Sequence, residues 1–171
     1  MPVSSNRFEV RPAVCQDVKS IRQLVTPYVE QGLLVIKPPV SYYEALPDFT
    51  VAVDADQNLI GCGAVHVMWN GLGEIRTVAT APNWRGQGVG GAILERLIDR
   101  ARQLGLERLF CLTFEVQFFS AHGFAPIDGI PVSPLVYEEL VKSHDDGVAE
   151  FLDLARVKPN TLGNTRMLRT L

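Results

Sequence analysis

The residues whose types and spacing most plainly suit a chemical task are Arg85-Gly86-Gln87-Gly88-Val89-Gly90, with Gly91 following at once. They stand where an apolar, alternating stretch gives way to a helical stripe. The first turn of a helix leaves backbone N–H groups without intrahelical partners. Aligned peptide dipoles add roughly half a positive charge at that end. An anion is therefore stabilised there by backbone alone. A phosphate can come close only if Cβ atoms are absent, and the glycines meet that condition. Arg85 can add a charge-assisted hydrogen bond. The chemistry that fits is the gripping of a pyrophosphate.

Two other phosphate loops share features with this run. Gly86, Gly88 and Gly91 also satisfy G-x-G-x-x-G. That fingerprint belongs to a parallel β-α-β unit, usually with an acidic residue ending the second strand. Here Asn70-Gly71 is a hairpin signal, so the strand before the loop is expected to be antiparallel to its predecessor. Three strands already lie upstream and too little chain follows for a second half. Glu115 could mimic the acidic residue, but its strand leads straight into a short helix. A Walker loop is excluded, because no Lys-Ser or Lys-Thr follows the glycines. A tight strand–helix turn with no ligand is the plain alternative.

The cysteines offer less. Cys15, Cys62 and Cys111 are odd in number and form no CxxC, so neither a disulfide framework nor a zinc or other metal site is expected. Cys62 and Cys111 fall inside apolar strands, where thiols pack as small hydrophobes.

The elements that must position the loop follow from periodicity. Phe8 to Pro12 alternates like a short strand. From Asp17 the pattern turns helical, with Val18, Ile21, Val25 and Tyr28 on one face and Gly32 after the end. Leu33 to Val40 is apolar and broken by prolines, and Ser41 to Leu46 suits one helical turn. Phe49 to Val53, Leu59 to Trp69 and Gly73 to Thr80 read as strands. Val89, Ile93, Leu94, Leu97, Ile98, Ala101 and Leu104 form the stripe of a long helix. Arg108 to Leu112 reads as a buried strand, Val116 to His122 as a short helix, and Phe124 to Ile127 as the start of another strand. Pro134 to Ser143 is amphipathic. Gly147 to Leu154 reads as a strand, and Lys158 to Leu171 as a polar tail. The sum is an α/β (α+β) chain with a mixed, mostly antiparallel sheet flanked by helices.

Length and composition set outer bounds. The 171 residues, 47% of them hydrophobic, suit one domain over 1–171, with a core at about 8–155. The net charge is −3, and no basic run occurs, so nucleic acid is not an expected partner. The first residues lack the regions of a signal peptide. No apolar run reaches the ~18 residues that would span a bilayer. A cytoplasmic chain with no membrane partner is expected. Monomer and homodimer both stay open.

The stretch Val78-Ala79-Thr80-Ala81-Pro82-Asn83-Trp84-Arg85-Gly86-Gln87-Gly88-Val89-Gly90 resembles the signature R/Q-x-x-G-x-G/A of the GCN5-related N-acetyltransferases, and His122-Gly123-Phe124 resembles their later "-GF-" turn. A narrower resemblance is to the acetyltransferase domain of the N-acetylglutamate synthases. It is carried by Glu30-Gln31-Gly32-Leu33-Leu34-Val35, Gly73-Glu74-Ile75 and Leu109-Phe110-Cys111-Leu112-Thr113. Val157-Lys158-Pro159-Asn160 and Leu162-Gly163-Asn164-Thr165-Arg166-Met167-Leu168 look like the C-terminal, substrate-site segment (about 156–171) of the short, single-domain type.

The resemblance implies that acetyl-CoA is the cosubstrate and L-glutamate the acceptor, in the first step of arginine biosynthesis. It implies that Val78, Ala79, Thr80 and the loop from Arg85 through Gly86, Gln87, Gly88, Val89, Gly90 and Gly91 hold acetyl-CoA, with the Val78 N–H facing the thioester oxygen. It makes Glu74 the expected base for the acceptor's amine; His66 is the runner-up, because alternation along the neighbouring strand can turn it into the same cleft. Many members carry a tyrosine before the "-GF-" turn as general acid; here Phe119 stands in that region and cannot donate a proton. A thiol pKa near ~8.5 makes thiolate a fair leaving group without one. Cations should meet the two carboxylates of glutamate. Lys37 lies in the stretch that resembles the synthases' substrate loop, and Arg76 lies two residues beyond Glu74, on the same strand face. Lys158, Asn164, Thr165 and Arg166 lie in the matching tail. Two rivals remain: the same fold acting on another amine, and a CoA-binding subunit without catalysis.

Overall fold

The computed structural model describes residues 7–157, 161 and 163–171. Along the chain come β1 (Phe8–Pro12), α1 (Val18–Glu30), α2 (Pro39–Glu44), β2 (Phe49–Asp54), β3 (Leu59–Trp69) and β4 (Leu72–Thr80). After them come α3 (Val89–Gln103), β5 (Arg108–Thr113), α4 (Val116–Ala121), β6 (Ala125–Pro126), α5 (Pro134–Leu140), α6 (Asp146–Phe151) and β7 (Thr165–Thr170). The strands form a seven-stranded sheet in the order β1-β2-β3-β4-β5-β7-β6. The β4–β5 pairing is parallel; β1–β2, β2–β3, β5–β7 and β6–β7 are antiparallel. This is the mixed, mostly antiparallel sheet with helices that the sequence pattern predicts.

Two compact units divide the chain. The first holds residues up to Val65 together with Thr77–Arg100. Its core gathers Val18, Ile21 and Val25 of α1 with Tyr42, Phe49, Val51 and Cys62. Ile93, Leu94, Leu97 and Ile98 of α3 are fully buried, as the stripe requires. Gly61 and Gly63 let α3 lie close on β3. A Cβ at Gly61 would come 2.7 Å from Ile93 Cδ1 and 2.8 Å from Val89 Cγ1, and one at Gly63 would come 2.9 Å from Leu97 Cδ1. The start of α3, and with it the glycine loop, is thus seated by two residues that have no side chain.

The second unit holds His66–Arg76 and Ala101–Leu171. Leu72, Phe110, Leu140, Val148, Phe151 and Leu152 form its core, with Phe110 and Phe151 edge to face at 4.9 Å. Two expectations fail here. The stretch from Gly147 is a helix, not a strand. Its buried residues, Val148, Ala149, Phe151 and Leu152, sit at helical spacing, and a short apolar run cannot be told from a strand by periodicity. Asp145 supplies the cap, accepting from the Val148 N–H at 2.9 Å. The tail, in turn, contains strand β7, paired with β5 from Arg108↔Thr170 to Thr113↔Thr165. Met167 is fully buried, while the neighbouring arginines disguise the alternation. Lys158, with Pro159, Asn160 and Leu162, lies outside the described residues.

All three thiols are free. Cys15 is exposed, whereas Cys62 and Cys111 are buried. Burial, only partly relieved by a hydrogen bond with the Ala79 backbone, pushes the Cys62 thiol up to about 12. Burial and then the Glu74 charge push Cys111 higher as well.

Candidate active site

The glycine loop has the open geometry that an anion needs. Gly86 and Gly88 adopt φ of +73° and +86°, a region that costs an L side chain roughly 1–2 kcal/mol. A Cβ at either would meet nothing within 4 Å among the described residues. Glycine is therefore required there by backbone conformation and not by crowding from the protein. The Gly88 carbonyl accepts from the Ala92 N–H at 3.0 Å, so the loop runs straight into the first turn of α3. That fifteen-residue helix turns toward the loop the end at which backbone N–H groups and the helix dipole favour an anion. The Gln87 side chain turns back instead, donating to the Asn83 carbonyl at 2.7 Å.

Arg85 is seated on Tyr28. Its Nε and Nη2 donate to the Tyr28 hydroxyl at 3.2 and 2.9 Å, and its guanidinium carbon lies 5.2 Å from the ring centroid. The Tyr28 hydroxyl donates in turn to the Thr80 carbonyl. Sequence reading missed this role for Tyr28. It placed the residue on the apolar face of α1, and no local signal announces a hydroxyl partner more than fifty positions away.

Val78, Ala79 and Thr80 end strand β4, with Ala79 buried and Val78 and Thr80 partly so. Just before them Thr77 adopts φ +57°, an outlier for a β-branched residue. Among the described residues, the parallel pairing of β4 with β5 covers only Leu72↔Arg108, Gly73↔Leu109 and Glu74↔Phe110. The strand is irregular just past the end of that ladder.

Glu74 is buried, with 4% of its surface exposed. Its Oε2 accepts from Arg76 Nη2 at 2.9 Å. Arg76 also makes a two-pronged pair with Asp145, Nη1 to Oδ2 and Nη2 to Oδ1, both at 2.9 Å. Burial disfavours charge on Arg76, yet Glu74 and Asp145 outweigh it and hold the guanidinium above its usual range. Burial likewise raises the Asp145 carboxyl, but the Arg76 hydrogen bond and charge, the Val148 N–H and the nearby His66 prevail. Asp145 therefore titrates well below the usual carboxylate range. Arg76 is thus engaged by two carboxylates of its own chain. His66, the alternative base, acts on Asp145.

Arg166 stacks over Phe110 at 4.9 Å and reaches Phe151 at 5.9 Å. Its Nε donates to the Gly129 carbonyl, Nη1 to Glu150 and Nη2 to Phe151. All three nitrogens point at carbonyls, so a substrate carboxylate would have to displace them. Thr165 and Asn164 stand at the start of β7, and Lys37 lies, partly buried, between α1 and α2. Phe119 is buried and packs edge-on to Phe118 and Phe124 at 5.1 and 5.2 Å; its place is in the core.

A model of the acetyltransferase (GNAT) family matches residues 18–125. The amino-acid acetyltransferase of Mycobacterium tuberculosis is 52% identical over 164 residues, 95% of this chain and 94% of that protein. The amino-acid acetyltransferase of Pseudomonas putida is 37% identical over 127 residues, 72% of this chain but 29% of that longer protein. The crystal structure of Rv2747 from Mycobacterium tuberculosis, in complex with CoA and NLQ, superposes with a TM-score of 0.92 at 52% identity, over 95% of this chain and 99% of that one. N-acetylglutamate synthase from Neisseria gonorrhoeae, complexed with coenzyme A and N-acetyl-glutamate, shares the fold with a TM-score of 0.75 at 24% identity, over 96% of this chain and 35% of that one. The chain belongs to the acetyltransferase (GNAT) family, and both of those solved structures hold coenzyme A. The open glycine loop at the head of α3 suits a pyrophosphate such as coenzyme A carries, because N–H groups would meet it there and neither Gly86 nor Gly88 has a side chain to stand in its way.

Proposed function

We propose that this chain transfers the acetyl group of acetyl-CoA to the α-amine of L-glutamate, giving N-acetyl-L-glutamate and CoA. As the resemblance implies, this would be the first step of arginine biosynthesis. The observation that carries the reading is Glu74, a buried carboxylate of which Arg76 takes only one oxygen. The amine of an amino acid is mostly protonated near neutral pH, and something must remove a proton before its lone pair can attack. Glu74 takes that proton, directly or through one water. The amine nitrogen then bonds to the thioester carbonyl carbon, the carbon–sulfur bond breaks with its electrons leaving on sulfur, and the second proton that the nitrogen sheds on becoming an amide passes to the departing thiolate or to water. The Val78 N–H faces the carbonyl oxygen as charge gathers there, a contribution of about 3 kcal/mol when such a donor is preorganised. Arg85 and the loop Gly86–Gly91 hold the pyrophosphate. Phe119 supplies no proton, so the thiolate leaves unassisted or is protonated by water.

The acceptor reading draws support from the 52% identity to a protein named for amino-acid acetylation over nearly the whole chain. Lys37, Lys158 and the Asn164–Arg166 segment would meet the acceptor's carboxylates. Arg76, spent on Glu74 and Asp145, would instead fix the base. The test is a panel of amino acids assayed for CoA release from acetyl-CoA. L-Glutamate should give the highest kcat/KM. If glutamate and glutamine are both inert at millimolar concentration while another amine reacts, the acceptor assignment fails. If no amine accelerates thiol release, the chain is a CoA-binding protein without this catalysis.

A further inference from the structure

We propose that Asp145 is a positioning residue for the Glu74 carboxylate: by holding Arg76 in a two-pronged pair, it limits Arg76 to one Glu74 oxygen and keeps the other available for a proton. The proposal rests on the reading of Glu74 as the base.

The geometry carries it. Arg76 has two parallel bonds to Asp145, at 2.9 Å each, and a single bond from Nη2 to Glu74 Oε2. Forked pairs of this kind fix the plane of the guanidinium as well as its place. The third nitrogen, Arg76 Nε, is buried and without a hydrogen-bond partner among the described residues. A buried donor left unmet is costly, so Arg76 would gain by rotating. The Nε–Nη2 edge could then fork onto both oxygens of Glu74. Asp145 opposes that rotation, and the carboxylate it protects keeps Oε1 clear of Arg76.

Gly147 supports the same arrangement by its size. A Cβ there would lie 2.5 Å from Arg76 Nη2, 2.6 Å from Cζ and 3.0 Å from Asp145 Oδ1. This glycine is not among those with positive φ; it is small because the Arg76 guanidinium passes over it. Other charged and titratable groups among the described residues act on the pair. Cys111 on β5 and Arg166 on β7 interact with the Glu74 charge, His66 on β3 acts on Asp145, and Asp153 acts on Arg166.

The experiment is a set of pH–rate profiles for kcat/KM with glutamate, paired with CoA binding by calorimetry. Asp145→Asn keeps a good helix cap but loses the ion pair, and Gly147→Ala keeps Asp145 but displaces Arg76. In both, plateau turnover should fall about tenfold or more, as expected for a hindered base, with CoA affinity within about twofold of the parent. The acid limb should move to lower pH in Asp145→Asn, because losing a neighbouring negative charge and gaining a second Arg76 bond both favour ionised Glu74. In an Arg76→Met background, Asp145→Asn should add no further loss. Profiles that superpose on the parent's, or an Asp145→Asn loss undiminished in the Arg76→Met background, would overturn the proposal. Glu74→Gln separates the two readings: full turnover in that variant defeats the base itself, whereas an inactive Glu74→Gln beside a parent-like Asp145→Asn defeats only the positioning role.

Discussion

Tyr28 holds Arg85 in two ways at once, with a hydroxyl that accepts from Nε and Nη2 and a ring that lies beneath the guanidinium. Because the same hydroxyl donates to the Thr80 carbonyl, one oxygen ties the end of β4 to the first residue of the glycine loop. Removing the oxygen while keeping the ring isolates this tie. Tyr28→Phe should raise KM for acetyl-CoA about fivefold to tenfold, the equivalent of a hydrogen bond of about 1–1.5 kcal/mol, with kcat little changed. Steady-state kinetics at saturating acceptor check it; an unchanged KM means that Arg85 needs no such support.

Gly88 should respond differently from a packed glycine. Its positive φ makes Gly88→Ala cost roughly 1–2 kcal/mol of stability, seen as a lowered Tm. The added methyl would meet no atom of the described residues within 4 Å. A loss of acetyl-CoA affinity larger than the loss of stability would therefore measure the collision with the cosubstrate itself. We expect a loss of about tenfold or more by calorimetry, and a loss no larger than Tm accounts for would place the pyrophosphate elsewhere.

Glu74→Gln keeps the size of the side chain and removes its basicity. Turnover should drop by about 10²–10⁴, while CoA binds within about twofold of the parent affinity. Equal turnover of variant and parent would remove Glu74 from the chemistry.

Acid should weaken the first unit through Asp17. Its carboxylate accepts from Arg11 Nη1 and Nη2 at 2.7 and 3.0 Å and from the Val14 N–H at 2.8 Å. The Arg11 hydrogen bond, opposed by burial and aided by the Val14 N–H and the Arg11 charge, holds the group below its ordinary value. The folded value is lower than the unfolded one, about 3.9. Its stabilisation is therefore complete above that pH and is lost as the pH falls through the folded value. Asp17→Asn should cost about 1–2 kcal/mol at neutral pH, roughly 3–6 °C in Tm. The gap between variant and parent should close as the pH falls below the unfolded value and through the folded one. A gap that stays constant into acid would mean that packing, not charge, is what Asp17 provides.

Much of this molecule is legible in its sequence for identifiable reasons. The stripes of α1 and α3 are long enough for the helical period to stand out, and Asn70-Gly71 marks the turn between β3 and β4. The glycine loop is legible because its backbone conformation, with Gly86 and Gly88 at positive φ, is one that residues with side chains rarely adopt. Helix α6 is hidden by its shortness; Asp145 ahead of Gly147 was a cap signal that the apolar run obscured. Strand β7 is hidden by Arg166 and Arg169 flanking the single buried Met167. The contacts of Tyr28 and Asp145 lie deeper still. Each depends on a partner 52 to 69 positions away, and no local period encodes such a meeting.

The unequal burial of the cysteines sets what a thiol reagent sees. Folded, the chain offers one reactive sulfhydryl, Cys15; Cys62 and Cys111 are shielded and held protonated. A disulfide-exchange dye used to follow CoA release should therefore carry a steady background of one equivalent per chain. A rise toward three would report unfolding in the same cuvette. For the same reason, a maleimide probe can be attached at Cys15 without first replacing the other two cysteines.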